Sequence, residues 1–522
     1  MLNRALFHVP HFGLFFANKD HLLYAHSEGN TNLNVTSIDV STLKTVIGLE
    51  VHAQVLTKSK MYCSCSADYA NAEPNTHVCM VCLGLPGALP VMNEQAIQTV
   101  IRTGLALNCE IPEFCKMDRK NYVYPDLPKG YQISQYDLPL CIDGTLEITV
   151  DGETRTAGIT RVHIEEDTGR LVHDIAANEG LSLVDLNRSG VPLMEIVGEP
   201  DLTTPEEALE YLIALRRILR AIGASTGNME EGAFRCDANI SVRAEDGSFI
   251  GPKVEIKNMN SFRAVERALK YEEVRQREAV VNGEELVQET RGWVDGQGIT
   301  VSQRSKEAAH DYRYFPEPDL PPLHISREMV AQISTTVGEL PVDRERRFVS
   351  TLGVSVADAA VLNSERGIAD YFEAAVGENT SNGYPQQIAN WLLNDVMGMA
   401  KARGMAADEF PITSDQLREL VDLVVGKKLT GTAAKSVLAG LNDGEAPTTA
   451  AERLNLLAME DDGAVLAAAR EAMEAQPAAV ADYRSGKQAA IGRLMGETMK
   501  RTGGRASADD VRAALLSLLN EA

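Results

Sequence analysis

The sequence predicts an α+β protein in which a strand-rich N-terminal part is followed by helical parts. Up to about residue 325, segments such as KTVIGLEVHAQVL and CDANISVR carry the β-branched residues typical of strands. The proline-rich segment DYRYFPEPDLPPLHIS then indicates a crossing between domains. After Arg327 the chain is alanine-rich, with Gly, Pro and Asp clusters between its segments, which indicates short helices.

The predicted division of the chain has four parts. The N-terminal residues form short apolar pieces without the continuous apolar core and cleavage site of a signal peptide. Arg4 is the only arginine before residue 100, so an arginine-rich transit peptide also fits poorly. We assign a poorly ordered N-terminal extension to 1–43, a strand-rich domain to 44–327, a helical domain to 328–410 and a helical tail domain to 411–522.

Two helices are predicted inside the strand-rich domain. Thr204 can cap a helix over 204–222, Pro205 suits its first position, and Gly223 ends it. A second, charged and mostly solvated helix is expected from about 261 to 281. Both helices interrupt a region that is otherwise predicted to form strands.

Composition limits the class of protein. The chain has 522 residues with 44% hydrophobic content, which is enough for two to four domains with real cores. Its net charge of −24 argues against broad, non-specific nucleic-acid binding. No apolar run is long enough to span a bilayer, so no membrane association is expected. Closely spaced cysteines without a secretion signal favour a reducing, cytoplasmic location.

Four cysteines have the spacing of a structural zinc site. They form a C-x-C pair and a C-x-x-C pair separated by thirteen residues, and glycines follow the second pair as a tight turn requires: Cys63, Cys65, Cys79 and Cys82. All four would be ligands, which argues against a catalytic zinc. The alternative is four ordinary buried cysteines.

Acidic residues inside apolar segments indicate a second site. Glu195 lies in the run VPLMEIV, where a carboxylate is costly unless a cation or hydrogen-bond donors meet it. Glu50 and His52 are two residues apart in a strand and share a face. His52 with Glu165, Glu195 and, as a further candidate, Glu255 would form an oxygen-rich site with one imidazole, which suits Mg²⁺ or Mn²⁺. The alternatives are an ion pair of Glu195 with an arginine and an ordinary core histidine.

No standard nucleotide-binding motif is present. The sequence has neither G-x-x-x-x-G-K-[ST] nor a G-x-G-x-x-G that opens a helix, so any ATP must be held by metal ions and scattered basic residues. The segment KNYVYPDLPKGYQISQYD combines tyrosines with Lys120 and Lys129. Such a segment could bind a phosphate-bearing ligand or brace a surface loop.

The segment 484–512 is basic within an acidic protein. It holds seven basic and three acidic residues, which is the local charge that an RNA backbone would need. A solvated helical face is the alternative. The spacing of these basic residues does not decide between RNA binding and a solvated helical face.

Taken together, these motifs resemble those of the B subunits of tRNA-dependent aspartyl/glutamyl amidotransferases. The resemblance runs from about Thr45 to the end and is carried by VIGLEVHAQV, KNYVYPDLPKGYQISQYD, HIEEDTGR, DLNRSGVPLMEIVGEPDL, EEGAFRCDANISVR, EIKNMNSF, DYRYFPEPDLPPL and GKQAAIGRLMGETMKRTGGRAS. It implies an α+β fold with an antiparallel-sheet cradle resembling the catalytic core of glutamine synthetase, then a helical domain and an all-α tail.

The resemblance also implies an activity. Such an enzyme uses ATP and Mg²⁺ to phosphorylate the side-chain carboxylate of the amino acid esterified to tRNA in Glu-tRNA(Gln) or Asp-tRNA(Asn). Ammonia then displaces the phosphate to give Gln-tRNA(Gln) or Asn-tRNA(Asn). The ammonia comes from glutamine hydrolysed by a partner A subunit, and a small C subunit completes the heterotrimer.

Site residues follow from the same resemblance. His52, Glu165 and Glu195 match the family's Mg²⁺ ligands, with Glu50 and Glu255 as further catalytic candidates. The substrate pocket and ammonia path are assigned to Lys120, Lys129, Tyr124, Asn187 and Arg188. The tail contacts tRNA in the family, which assigns that contact to Lys487, Arg493, Lys500, Arg501 and Arg505. Zinc cysteines occur in only part of the family.

Two other functions are compatible with parts of the sequence. An ATP-dependent ligase that amidates a free carboxylic acid would need the metal site but no basic tail. A non-catalytic tRNA-binding scaffold would need the tail but no ATP. The sequence does not distinguish Glu-tRNA(Gln) from Asp-tRNA(Asn) as the substrate.

Overall fold

A computed structural model describes residues 42–172, 181–305, 312–381, 383–406, 409–458 and 462–520. The predicted N-terminal extension therefore lies outside the described residues, apart from its last two positions. The described strands are β1 (Leu43–Gln54), β2 (Phe114–Cys115), β3 (Asp118–Asn121), β4 (Tyr131–Ser134), β5 (Cys141–Val150), β6 (Glu153–Glu166), β7 (Arg170–Val172), β8 (Leu183–Asp185), β9 (Pro192–Gly198), β10 (Phe234–Ala244), β11 (Val254–Lys257), β12 (Glu289–Val294), β13 (Ile299–Ser305), β14 (Phe315–Pro316) and β15 (Leu323–His324).

Eight of these strands form one large sheet. Their order is β13-β12-β11-β10-β1-β9-β6-β5, and every pair is antiparallel except β11 with β12. Three small sheets complete the strand pairing, with the orders β14-β3-β4, β15-β2 and β7-β8. The architecture is a mixed α/β one with a predominantly antiparallel sheet, as the sequence predicted.

The central strand β1 shows why the sheet has one apolar and one polar face. Ile47, Leu49 and Val51 are buried on one face, and burial of each such side chain stabilises the fold by about 1.5–3 kcal/mol. Three helices belong to the same hydrophobic core: α1 (Glu94–Ala106), α2 (Pro205–Ala221) and α3 (Phe262–Asn282). Glu50 and His52 alternate with the apolar residues and therefore project to the opposite face.

Both predicted helices of the strand-rich region are confirmed. Thr204 caps α2 through a capping box with Glu207, as expected from its position before Pro205. Ser261 caps α3, and Gly283 ends it in the left-handed conformation that glycine adopts at low cost.

The C-terminal part of the described chain is helical, as predicted. Its helices are α4 (Arg327–Ser334), α5 (Pro341–Ser350), α6 (Val356–Leu362), α7 (Arg366–Val376), α8 (Tyr384–Trp391), α9 (Met397–Ala402), α10 (Ser414–Val425), α11 (Gly431–Ala439), α12 (Pro447–Arg453), α13 (Asp462–Ala475), α14 (Pro477–Arg484), α15 (Ile491–Arg501) and α16 (Ala508–Asn520). A π-helical segment, Leu392–Val396, joins α8 to α9, and a 3-10 turn, Gln488–Ala490, precedes α15. No described helix is both long and apolar enough to cross a membrane.

Two further hydrophobic cores lie in this helical part. One contains buried side chains from Phe348 to Ala451, and the other contains side chains from Val465 to Leu519. The first of them includes residues on both sides of position 411, and the domain division expected there stays a prediction. Ion pairs such as Arg217–Glu345, with 2.8 Å between Nη2 and Oε2, connect α2 to α5.

Candidate active site

Four neighbouring strands place polar side chains in one row on the polar face of the large sheet. In the antiparallel register, Arg235 of β10 lies opposite His52 of β1. His52 lies opposite Glu195 of β9, which in turn lies opposite His163 of β6. Residues paired directly across strands project to the same face, so the ladder itself brings these side chains together.

His52, Glu165 and Glu195, here called the sheet cluster, each offer one ligand atom, and these atoms lie within 4.8 Å of one another. The His52 Nε2 is 3.4 Å from the Glu195 Oε2. His163 lies beside them, with its Nε2 3.3 Å from the Glu195 Oε2. Two carboxylates and an imidazole at this spacing fit a divalent cation with a preference for oxygen ligands.

Electrostatics explains how two buried carboxylates are tolerated side by side. Burial alone would raise the pKa of Glu195, but His163 and His52 lower it well below its usual value. Burial likewise opposes ionisation of Glu165, yet Lys120 and His163 lower its pKa to about 2. Burial would lower the pKa of His52, and Glu195 raises it above its usual value. The cluster is therefore a network of charges that balance one another.

The small sheet of β3 and β4 supplies groups that meet Glu165. Ser134 donates a hydrogen bond to the Glu165 Oε1 at 2.7 Å, and the Lys120 Nζ lies 3.4 Å from the same oxygen. The Lys120 Nζ is also 5.3 Å from the centre of the Tyr312 ring, and Tyr312 packs edge-on against Tyr314. The lysine, serine and tyrosines thus line the site beside the carboxylates.

The next residue, Glu166, forms a separate ion pair with Lys129. The Ile133 backbone N–H also donates to its carboxylate, at 3.0 Å. Glu166 and Lys129 line a cavity of about 200 Å³ together with Tyr62 and Cys82. The cavity is therefore lined both by the residue that follows Glu165 and by the cysteine-bearing loops.

Asp167 continues the acidic run and is paired with arginines. The Arg235 Nη2 lies 3.1 Å and the Arg188 Nε 3.7 Å from its Oδ1. Gln54 donates a hydrogen bond to its Oδ2 at 2.8 Å. Burial would raise the pKa of Asp167, but Arg235 and Arg188 lower it. Gln54 and Arg188 also line a larger groove of about 850 Å³.

The remaining predicted catalytic residues lie further from the cluster. Glu50 shares the face of His52 and accepts a hydrogen bond from Asn239 at 2.9 Å. Glu255 of β11 accepts a hydrogen bond from Thr290 and is 3.3 Å from the Lys257 Nζ. In the register, Glu255 lies two strands away from β1 and outside the group of three ligands.

Two predicted substrate residues have surroundings of their own. Asn187 is fully buried: its Oδ1 accepts from the His77 backbone N–H at 2.7 Å, and its Nδ2 donates to the Glu73 carbonyl at 2.7 Å. These contacts favour a positioning role. Tyr124 lies in the loop after β3 and is 55% exposed.

The four cysteines, here called the cysteine cluster, do come together on two loops. Their Sγ atoms lie within 4.8 Å of one another, and those of Cys79 and Cys82 are 3.8 Å apart. Tetrahedral zinc with Zn–S bonds of about 2.3 Å needs a sulfur separation of about 3.8 Å. The Cys79 backbone N–H donates to the Cys82 Sγ at 3.1 Å. A hydrogen bond from Cys63 lowers the pKa of Cys82 to about 5, and Lys60 contributes to this shift. The donor set therefore fits zinc.

The five basic residues assigned to tRNA lie on or next to α15. Lys487 pairs with Asp482, with 2.9 Å between Nζ and Oδ1, and Arg501 pairs with Glu471, with 2.8 Å between Nη1 and Oε2. Arg505 donates to Asn455 at 3.2 Å. Arg493 and Lys500 are seven residues apart on α15 and form no ion pair within the described part of the chain.

Sequence reasoning missed several residues of the site. His163 carries a signal that could have revealed it, because it is two residues before Glu165 in a strand and must share its face. Ser134, Tyr312 and Tyr314 carry no such signal. They reach the site only because β3 and β4 fold over the sheet.

The fold and the positions of the potential ligands define the general class of protein. It is a mixed α/β protein with one oxygen-rich and one sulfur-rich group of potential metal ligands. Residues 45–331 match the family described as the GatB/GatE catalytic domain, and residues 370–519 match the GatB domain family.

Whole-length relatives agree with the domain matches. Over 480 residues the chain is 54% identical to the B subunit of the aspartyl/glutamyl-tRNA(Asn/Gln) amidotransferase of Thermomicrobium roseum, covering 92% of this chain and 99% of that one. It is 50% identical to the protein of the same name from Dehalococcoides mccartyi, with 92% and 99% covered. The Herpetosiphon aurantiacus protein of that name is 51% identical, with 91% and 98% covered. The chain belongs to this family of amidotransferase B subunits.

Proposed function

We propose that this chain is the B subunit of a tRNA-dependent amidotransferase and carries its kinase and transamidase site. The substrates are Glu-tRNA(Gln), Asp-tRNA(Asn) or both, and the products are the matching Gln-tRNA and Asn-tRNA. Family membership supports the reaction class. The observation that carries the assignment to this site is the sheet cluster of His52, Glu165 and Glu195.

The chemistry requires activation of an unreactive carboxylate. Expelling oxide from it is prohibitive, whereas an acyl phosphate has a good leaving group, so ATP first phosphorylates the side chain. Mg²⁺ held by the sheet cluster would offset the charge on the phosphate oxygens during transfer. Its ligands are fixed by the strand register, which keeps them in place before substrate arrives.

Basic side chains near the cluster have complementary tasks. Lys120, close to Glu165 and to the Tyr312 ring, is placed to contact a phosphate or carboxylate of the substrate. Lys129 is paired with Glu166 at the 200 Å³ cavity, which is a suitable entry for ammonia. Arg188 lines the 850 Å³ groove, whose size is sufficient for the terminal nucleotide of tRNA or for ATP.

The wider assignment follows the family. The sheet is proposed to be a cradle related to the catalytic core of glutamine synthetase, and the helical tail to contact tRNA. The partners are a glutaminase A subunit and a small C subunit, in the cytoplasm where translation occurs. A structural zinc in the cysteine cluster would stabilise the two loops that carry it.

The deciding experiment is amidation of mischarged tRNA by the assembled heterotrimer. Glu-tRNA(Gln) and Asp-tRNA(Asn) are each supplied with ATP, Mg²⁺ and ammonium, and each component is omitted in turn. We expect amidated tRNA only when ATP and Mg²⁺ are both present. ATP turnover with free glutamate and no tRNA would support the free-acid ligase instead. Magnesium-independent tRNA binding without ATP use would support the non-catalytic scaffold.

A further inference from the structure

Lys60 is a buried cation that neither the proposed reaction nor the predicted sites use. Lys60 is only 1% exposed. The Nζ donates to the His77 carbonyl at 2.7 Å and makes a longer contact of 3.5 Å with the Leu186 carbonyl. Among the described residues, no carboxylate pairs with this ammonium. A buried charge whose partners are only neutral carbonyls is costly without an anion nearby.

Lys60 contacts both loops that carry the cysteine cluster. The Lys60 backbone N–H donates to the Cys65 carbonyl at 2.9 Å, which places Lys60 in the loop of the first cysteine pair. Its Nζ reaches the carbonyl of His77, two residues before Cys79 in the second loop. A Cβ built on Gly190 would lie 3.4 Å from the Cys82 Cβ and 3.6 Å from the Lys60 Cδ. Lys60 and Cys82 therefore pack against the same backbone position.

Glu166, which also lies near Gly190, does not supply the missing charge. Glu166 has an oxygen 3.8 Å from the same Gly190 Cβ position, but its carboxylate already forms an ion pair with Lys129. Four thiolates around one divalent ion would supply it, because that group carries an excess of about two negative charges.

We propose that Lys60 is the internal counter-ion of the metal-loaded cysteine cluster and raises its affinity for zinc. The inference rests on the proposed zinc site. Lys60 is a positioning residue for the metal: its charge offsets that of the tetrathiolate, and its hydrogen bonds connect the two cysteine loops to the segment that begins at Leu186. That segment carries Arg188, so metal loading also supports the groove of the active site.

The first test measures zinc affinity of the full chain by competition with a chromogenic chelator. Lys60→Met keeps an unbranched side chain of nearly the same length and removes its charge, and it is expected to weaken zinc binding by roughly 10- to 100-fold, as changes around metal ligands do. Lys60→Arg keeps the charge and is expected to retain affinity within about threefold of wild type. Lys58→Met is the matched control, because Lys58 is exposed in the same loop and water screens its charge.

The second test separates a charge effect from a packing effect. Thermal unfolding of wild type and Lys60→Met is followed with bound zinc and after removal of zinc by a chelator. Charge compensation predicts that Lys60→Met lowers the Tm more with bound zinc than without it, because the full charge of four thiolates is present only in the zinc-loaded state. Equal destabilisation in both states would mean that Lys60 acts only through hydrogen bonds and would overturn the proposal.

Each failure can be traced to its own cause. Wild-type chain that binds no zinc overturns the zinc site and the inference together. Zinc binding that is equal in wild type and Lys60→Met overturns the role of Lys60 alone. Neither measurement requires amidation, so a failure of the proposed reaction would leave both results unchanged.

Discussion

The sheet cluster is built on strands, whereas the cysteine cluster is built on loops. His52, Glu195 and His163 stand on three adjacent strands whose ladder fixes their separation. Cations and carboxylates balance there within the chain itself. The cysteines lie on two loops, which the hydrogen bond from the Lys60 Nζ to the His77 carbonyl joins. The difference predicts that the ligands of the sheet cluster hold their positions before a metal binds, whereas the loops of the cysteine cluster would gain stability from one.

The largest expected effect comes from removing one charge of the sheet cluster. Glu195→Gln is expected to lower the amidation rate by roughly a thousandfold, because charge stabilisation by a bound metal is worth several kcal/mol. Binding of mischarged tRNA should change little, since the strand ladder stays intact. The measurements are single-turnover amidation and filter binding of tRNA. Loss of both activities would assign Glu195 a structural role.

A change in the cysteine cluster is expected to lower stability more than it lowers amidation. Cys79→Ser should abolish zinc binding and lower the Tm by roughly 5 °C, which corresponds to a loss of one or two kcal/mol. Amidation by the folded protein should fall far less than in Glu195→Gln. Metal analysis, calorimetry and amidation at 25 °C check this. A collapse of amidation with an unchanged Tm would remove the distinction between the two sites.

pH should control metal binding at the sheet cluster through the protonation of His52. Glu195 raises the pKa of His52, so the stability this pair provides is present below the unfolded pKa of about 6.5 and is lost as pH rises through the folded pKa. A metal needs the neutral imidazole, so Mn²⁺ affinity of the sheet cluster should rise by up to about tenfold per pH unit across that window. Titration calorimetry in buffers of different ionisation enthalpy would detect the released proton. Affinity that is independent of pH would exclude His52 as a ligand.

The smallest effect is expected in the basic segment 484–512. Arg493 and Lys500 have no ion-pair partner in the described chain, whereas Lys487 and Arg501 are already paired. The double variant Arg493→Gln, Lys500→Gln should weaken tRNA binding and reduce the salt slope by about two. Lys487→Gln is the matched control and should change the slope less. Equal effects of all these changes would mean that the ion pairs open on binding.

Part of this arrangement could be predicted from sequence for a physical reason. Strand periodicity and cysteine spacing are local signals, so Glu50 and His52, the four cysteines and the capped helix α2 were all recognisable. Contacts that depend on register or on a second sheet are not local. Ser134 and Tyr312 join the site across long sequence distances, and Lys60 shows its unusual burial only in the folded chain.

The most direct test is anomalous diffraction from one crystal of the heterotrimer grown with Mn²⁺ and zinc. Data at the two absorption edges locate each metal separately. We expect manganese between His52, Glu165 and Glu195, and zinc between the four cysteines. Manganese bound elsewhere, or zinc in the sheet cluster with the cysteines empty, would contradict the assignment of one oxygen-rich and one sulfur-rich metal site.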